Sequence, residues 1–220
     1  MRMMNVAAGF LSTTSLVAMC LAQDAQIGPR VFATELAAQG IPTGLVLAER
    51  DFRLPPGEHT RPDARGQTGP PADLEARVSV FNSSRGPFRA TESRGVVRIR
   101  AGDEPADVTS ALARERQMHA GDEPELPALK AVYKHALRAI RGSEPEGFFG
   151  GGPDPSCRLD RPVRLPMGRT TTAELLDDVV RQLAGVTWLM TYDQATGYWS
   201  VGLMCPDGSY RRTWIPPESR

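Results

Sequence analysis

Residues 170–192, "TTTAELLDDVVRQLAGVTWLMTY", form a helix-to-strand unit that carries its own start and stop signals. Thr171 followed three residues later by Glu174 is a capping-box pattern, which marks the first turn of a helix. Gly185 suits the C′ position at which a helix ends, and residues 186–192 are rich in the β-branched and aromatic side chains typical of strands. The predicted apolar face comprises Leu175, Leu176, Val179, Val180 and Leu183, and the predicted solvent face comprises Asp177, Asp178 and Arg181.

The segments on either side of this unit indicate the fold class. Val163 and Leu165 alternate with Arg164 between them in a short strand before the helix. After the unit, "DQATG" predicts a hairpin loop, and two further strands are expected at 198–204 and 210–215. We therefore predict an α+β fold of small β-α-β units, with a C-terminal antiparallel meander packed on a helix.

The rest of the chain predicts several shorter elements. A helix is expected at 30–39 and a strand centred on Leu45, Val46 and Leu47. "ARVSVFNS" (76–83) predicts a strand, and 87–102 predicts two strands around a turn. Helices are expected at 106–118 and 124–142, the second with an apolar face of Leu129, Val132, Tyr133, Ala136, Leu137 and Ile140.

Two Pro- and Gly-rich stretches divide the chain, because such segments lack the apolar residues needed to pack. The predicted organisation is a signal peptide (1–22), an N-terminal helix-strand segment (23–53), a flexible linker (54–73), strands plus two helices (74–142), a second flexible linker (143–160) and a β-α-β-β-β unit (161–217).

The N-terminus predicts export. Arg2 precedes an apolar run that ends near Ala22, which is the layout of a secretory signal peptide. Cys20 and Ala22 are the small residues expected three and one before a cut after Ala22, and Met19 before Cys20 disfavours a lipoprotein signal. No later stretch reaches the ~20 apolar residues of a membrane span, so we expect a periplasmic or secreted chain with no integral membrane segment after cleavage.

Charge gives no indication of a polyanionic partner. The 26 Lys and Arg residues balance the 26 Asp and Glu residues. Nucleic acid is therefore not expected as a partner.

Cys157 and Cys205 remain after loss of the signal peptide. In an oxidising compartment they could form a disulfide, or they could be two unpaired, partly buried thiols. Neither has a second cysteine or a histidine at zinc-ligand spacing.

No local pattern predicts a catalytic, metal or cofactor site. His59, His119 and His135 lack a second ligand at i+3 or i+4. Asp177 and Asp178 are adjacent on one helix and point in different directions, so they cannot act as a facing carboxylate pair. No phosphate-binding loop or nucleophile elbow is present in the sequence. We predict a protein that is not an enzyme and uses no cofactor.

Aromatic residues concentrate in the three C-terminal strands and could cluster on one face of a meander. That cluster could be a core covered by the helix, or an exposed contact surface for a peptide, glycan or protein. The last strand could also be an exposed edge that accepts a strand from a partner. The candidate contact residues are Trp188, Trp199, Trp214, Tyr198 and Tyr210.

The order of elements over residues 161–204 resembles the secretin and TonB N-terminal short domain, a periplasmic domain of two β-α-β units that precedes an outer-membrane pore or receptor. A shorter stretch around "GIPTGLVL" resembles the other half of that domain, although about a hundred residues separate the two parts here. The resemblance is carried by Thr171, Glu174, Leu175, Leu183, Gly185 and Trp188.

This resemblance implies an exported protein-contact module with no catalytic residues. The partner would be another periplasmic or outer-membrane protein. Two alternatives remain open from the sequence: a secreted hydrolase whose site is assembled from distant residues, and a carbohydrate-binding module.

Overall fold

A seven-stranded mixed sheet forms the centre of the protein. The computed structural model describes residues 28–53, 73–83, 86–118, 125–136, 148–151 and 156–215. The predicted signal peptide and almost all of the predicted linker at 54–73 lie outside these residues. In sheet order the strands are β2 (Phe88–Ser93), β3 (Val96–Ala101), β1 (Thr43–Ala48), β9 (Thr187–Tyr192), β10 (Trp199–Met204), β11 (Tyr210–Ile215) and β6 (Phe148–Gly151).

The pairing confirms the predicted α+β class. Strand β1 pairs in parallel with both β3 and β9, whereas β9, β10 and β11 form the antiparallel meander. Strand β2 pairs antiparallel with β3 through the predicted turn, in which Arg94 and Gly95 have φ angles of 52° and 77°. Strand β6 pairs antiparallel with β11 and is the last strand on that side.

Helices cover both faces of the sheet. On one face lie α1 (Pro29–Ala38), α2 (Glu49–Phe52) and α3 (Leu74–Ser83). On the other lie α4 (Ala106–Ala113), α5 (Ala128–Ala131) with a π-helix at Val132–Ala136, and α6 (Thr172–Arg181). Two short ladders extend this second layer: β4 (Glu115–Met118) pairs with β8 (Gly168–Thr171), and β5 (Glu125–Pro127) pairs with β7 (Pro162–Arg164).

Strands β1 and β9 are buried on both sides, as expected for parallel strands between two helical layers. Leu45 and Leu47 pack in the core under α1, whereas Val46 packs in the core under α6. Gly44 lies beside Trp188 in the register of β1 and β9. A Cβ atom at Gly44 would come within 2.1 Å of the Trp188 indole, so the absent side chain is what makes room for the ring.

The capping box of α6 is confirmed. The Glu174 backbone N–H donates to Thr171 Oγ1 over 3.2 Å, and the Thr171 N–H donates to Glu174 Oε2 over 2.9 Å. The prediction of Gly185 as the C′ residue is wrong, because the helix ends at Arg181 with Gln182 as its C-cap. Gly185 instead supplies a positive φ of 77° in the turn that leads into β9.

The strand predicted at 76–83 is wrong, because these residues belong to helix α3. Leu74, Val78 and Phe81 recur at helical spacing and pack against the core. Phe81 stacks on Phe32 with a centroid distance of 4.4 Å, while Val80 points to solvent. The alternation of Val78 and Val80 suggests a strand. The residues that pack on the core instead follow the helical spacing of Leu74, Val78 and Phe81.

The two helices predicted in the middle of the chain are shorter than expected. The first ends at Ala113, and residues 115–118 leave it as β4 to pair with β8. The second begins only at Ala128, after β5, and changes to a π-helix at Val132. Residues 137–142 of the second prediction lie outside the described residues. Its buried positions are Ala128, Ala131, Val132 and His135, and Leu129 and Tyr133 of the predicted apolar face are partly buried against the same core.

The predicted linker at 143–160 contains structured residues. Phe148–Gly151 forms β6, and Leu159 is buried. Cys157 is bonded to Cys205, with their Cα atoms 5.6 Å apart. Residues 143–147 and 152–155 lie outside the described residues.

Candidate functional site

Asp177 is buried, which corrects the prediction that both aspartates of α6 face water. It is 1% exposed and accepts a hydrogen bond from Trp188 Nε1 over 2.9 Å. The Arg98 guanidinium also binds it, with Nε 3.0 Å from Oδ2 and 3.3 Å from Oδ1. The carboxylate therefore joins α6 to strands β3 and β9.

Asp178 is the more solvent-accessible member of the pair. Its carboxylate forms an ion pair with Arg181 one turn along the helix. Partial burial raises the pKa of Asp178, and the Arg181 charge opposes this rise. The two neighbouring carboxylates therefore have different surroundings, and neither faces the other as an acid and base pair would.

A second buried ion pair lies on the opposite face of the sheet. Glu49 Oε2 is 2.6 Å from Arg212 Nη1, and Glu49 Oε1 is 3.0 Å from Arg212 Nη2. Thr191 Oγ1 donates to Glu49 Oε2 over 2.8 Å and is 2.7 Å from Ser200 Oγ. Glu49 and Arg212 are 6% and 7% exposed, so this two-pronged contact compensates charges that would otherwise be costly to bury.

Aromatic rings enclose this ion pair. The Arg212 guanidinium lies 4.8 Å from the Phe52 ring centre, and Arg30 lies 4.4 Å from the same ring. Arg30 also donates to the carbonyl oxygens of Phe52 and Gly208. Burial is the main cause of the lowered pKa of Arg30. These contacts attach α1 to the β10–β11 turn.

Both buried carboxylates are fully engaged by donors from other elements. Such carboxylates act as structural acceptors that connect helices to strands. Neither Glu49 nor Arg212 was predicted from the sequence. One feature of the sequence could have indicated the buried Arg212. Side chains alternate along a strand, so Arg212 shares a face with Tyr210 and Trp214, where a charged residue is unexpected.

The predicted aromatic contact residues do not form one surface. Trp188 is 0% exposed in the core under α6, which corrects its assignment to a contact surface. Trp199 is half-buried against the same core, whereas Tyr210 packs on the opposite side of the sheet. Tyr198 is 39% exposed just before β10. Trp214 pairs with Ser200 in the β10–β11 register, and its side chain lies outside the described part of the structure.

The last predicted strand, β11, is not an edge strand. Residues 211–214 of β11 pair with Gly151–Phe148 of β6, so β6 is the edge strand on that side. Among the described strands, β6 has a neighbour only at β11.

The other edge of the sheet is closed by a side chain. Asn82 of α3 donates from Nδ2 to the Ala90 carbonyl over 2.8 Å, and its Oδ1 accepts from the Ala90 N–H over 2.7 Å. The amide thus takes the place of a neighbouring strand at the middle of β2. Among the described residues, the two edges of the sheet therefore differ in what lies against their outer sides.

A surface depression lies beside the disulfide, with a volume of about 480 Å³. Its apolar lining consists of Pro127, Leu129, Cys157 and Leu159. Among the described residues, its charged lining comprises Lys130, Asp160 and Arg211. None of these charged residues was identified from the sequence as a candidate, because they come from three segments that are distant in the chain.

The histidines give no support to a catalytic centre. His135 is fully buried in the π-helix and does not line the depression. His59 and His119 lie outside the described residues. Within the described residues, no group of three or more His, Cys, Asp or Glu side chains is arranged to hold a metal ion.

None of the helices in the described part of the chain is both long and apolar enough to cross a bilayer.

Comparison with protein-family models, with curated proteins and with solved structures finds no match to this chain.

Proposed function

We propose that this chain is an exported, non-catalytic interaction module that binds a periplasmic or outer-membrane protein by accepting a strand at the β6 edge. Strand addition uses the backbone N–H and C=O groups of an edge strand, so it requires an edge that is not already covered. The site is the outer side of Phe148–Gly151.

The difference between the two sheet edges carries this proposal. At β2 the Asn82 amide occupies the backbone groups of Ala90, and helix α3 packs alongside. At β6 no described element pairs with the outer side. Within the described residues, one edge is covered by a side chain and the other has no strand on its outer side, which is consistent with a partner strand at β6.

Export is supported by two independent features. The first 22 residues have the pattern of a cleaved signal peptide. The Cys157–Cys205 disulfide is the kind of bond that persists in oxidising compartments. The resemblance of 161–204 to a periplasmic contact domain agrees with both.

The non-catalytic part of the proposal is supported by the use of the buried charges. Glu49 and Asp177 are each saturated by arginine and by a further donor. Carboxylates held in this way connect secondary-structure elements. An acid or base catalyst must instead reach its substrate, which these buried carboxylates cannot do.

Site-specific photo-crosslinking tests the proposal. A photoreactive phenylalanine analogue at position 149 in β6 should yield a defined adduct with one envelope protein in intact cells. The same analogue at Thr91, on the edge strand β2, is the matched control and should yield none.

Gly150→Pro in the position-149 background should abolish the adduct, because proline removes a backbone donor and disrupts strand pairing. Circular dichroism should show that this variant remains folded. Equal adducts from both edges, or an adduct that survives Gly150→Pro, would exclude β6 as the contact strand.

A further inference from the structure

The two halves of the disulfide differ in exposure. Cys157 is half-buried and lines the surface depression, whereas Cys205 follows β10 and is 0% exposed. Among the described residues, Pro127, Leu129 and Leu159 form the apolar surface around Cys157. A reagent that enters the depression from solvent therefore meets the Cys157 half of the bond first.

The approach to Cys157 is held open by backbone pairing. The Leu129 N–H donates to the Leu159 carbonyl over 3.1 Å, and the Ala128 N–H donates to the Arg161 carbonyl over 2.9 Å. The β5–β7 ladder continues this attachment. The volume of about 480 Å³ lies within the ~300–1,000 Å³ typical of small-molecule sites, so a small thiol or a thiol-bearing side chain can enter.

A backbone donor already serves the buried sulfur. The Cys157 N–H donates to Cys205 Sγ over 3.2 Å. In thiol–disulfide exchange a thiolate attacks one sulfur of the bond and the other sulfur leaves as a thiolate. A hydrogen bond to an ionised acceptor is stronger than one to a neutral acceptor, so this donor favours departure of Cys205 over departure of Cys157.

We infer that this disulfide is a site of thiol–disulfide exchange with a dithiol, entered through the depression and attacked at Cys157. As the dithiol's first thiolate bonds to Cys157 Sγ, the disulfide breaks, and its electron pair leaves on Cys205 Sγ, which then takes a proton. The second thiolate of the dithiol displaces Cys157, which is protonated in turn. The dithiol is thereby oxidised to a disulfide and both cysteines are reduced to thiols.

The reverse steps, with an oxidised dithiol, form the bond again. This exchange concerns the depression and does not depend on the proposed strand addition at β6.

Labelling of the unaltered disulfide tests the order of attack. The protein would be produced without residues 1–22, which contain Cys20, and exposed in its folded state to 2-mercaptoethanol, a monothiol that stops at the mixed disulfide. After acid quenching and alkylation with N-ethylmaleimide, peptide mass spectrometry should find mercaptoethanol on Cys157 and the alkyl group on Cys205. Low concentrations of urea should not accelerate the reaction, because it occurs in the folded protein.

Single-cysteine variants test the difference in accessibility. Cys205→Ser leaves only Cys157, and Cys157→Ser leaves only Cys205. With 2-hydroxyethyl disulfide, the Cys157 thiol should form the mixed disulfide roughly tenfold or more faster than the Cys205 thiol, because thiol reactivity depends on access. The two rates should converge in concentrated urea, where both thiols are exposed.

Filling the depression tests the route of entry. Leu129→Trp should slow the reaction of the intact disulfide with 2-mercaptoethanol several-fold. Met167→Trp is the matched control and should leave the rate unchanged, since Met167 is 54% exposed and does not line the depression. Circular dichroism would establish that both variants are folded.

Mercaptoethanol found as often on Cys205 as on Cys157 would overturn the inference, as would a reaction that requires unfolding. Equal slowing by Leu129→Trp and Met167→Trp would also overturn it, since the depression would then not be the route. If Leu129→Trp does not fold, the labelling of the unaltered disulfide decides the outcome.

Discussion

At the scale of single residues, the position of Asp177 depends on three other side chains. Trp188 and Arg98 both donate to its carboxylate, and Gly44 leaves the space that the Trp188 ring occupies. Register places Arg98, Gly44 and Trp188 side by side across three strands. The hydrogen-bonded carboxylate thus specifies how α6 sits on the sheet.

Asp177→Asn should be strongly destabilising, because it leaves the half-buried Arg98 guanidinium without its counter-charge. We expect a loss of about 2–4 kcal/mol in the free energy of unfolding, the range for breaking a largely buried pair. Urea denaturation of the disulfide-bonded protein would measure it.

Asp178→Asn is the matched control for this change. Its ion pair with Arg181 is accessible to solvent, so the loss should stay within about 0.5 kcal/mol. Equal losses in the two variants would contradict the structural role assigned to Asp177.

At the scale of elements, the capping box that begins α6 also changes the pKa of one of its residues. The backbone N–H and the hydroxyl of Thr171 donate to the Glu174 carboxylate, and these hydrogen bonds lower the pKa of Glu174. The carboxylate also lies at the positive end of the helix dipole. Ionised Glu174 therefore stabilises the first turn of α6.

The stability contributed by Glu174 should depend on pH. Because the pKa in the folded state is below the unfolded value, the contribution is present above the unfolded pKa and is lost as pH falls through the folded pKa. Glu174→Gln should cost about 0.5 kcal/mol at pH 7 and less at pH 3, measured by chemical denaturation.

Glu75→Gln, in the first turn of α3, controls for the loss of a charge near a helix N-terminus. If the cost of Glu174→Gln were independent of pH, ionisation of Glu174 would not contribute to the cap.

At the scale of the whole molecule, the disulfide connects the chain after β6 to the end of β10. Cys205 is fully buried and Cys157 is half-buried, and 48 residues separate them. The Ser156 N–H also donates to Ser209 Oγ over 3.0 Å, so the two segments are joined by more than the covalent bond. This attachment holds one wall of the depression.

Removing the disulfide should lower stability by about 4 kcal/mol, from the chain entropy of a loop closed over 48 residues. The measurement is denaturation with and without reductant, and for the Cys157→Ala variant. Thiol counting on the denatured, unreduced protein produced without residues 1–22, which contain Cys20, should find no free thiol. Identical midpoints in the presence and absence of reductant would contradict this prediction.

Several elements could be predicted from local pattern because their signals are local. The capping box, the β9–β10–β11 meander and the hairpin at Arg94 and Gly95 each depend on residues within a few positions of one another. The strand predicted at 76–83 failed because alternating valines and a helical period coincide there, and packing on Phe32 favoured the helix.

The candidate sites depend on contacts between distant segments. Asn82 meets Ala90 only because α3 folds onto β2, and Arg211 and Lys130 line the same depression only because β11 and α5 lie near each other in the fold. The amino-acid composition of a single segment cannot indicate which strands, here β2 and β6, will lie at the edges of the sheet. The aromatic residues were therefore assigned to one surface, although the sheet distributes them between two faces.

By itself, the sequence determined the α+β class, the start of α6 and the order of the C-terminal strands, because each depends on short-range periodicity and capping. Only the tertiary structure decided that Asp177 is buried, that Cys157 bonds Cys205 and that β6 covers β11. The physical reason is that burial and pairing are set by long-range packing, in which a side chain acquires its partner from a strand or helix far along the chain.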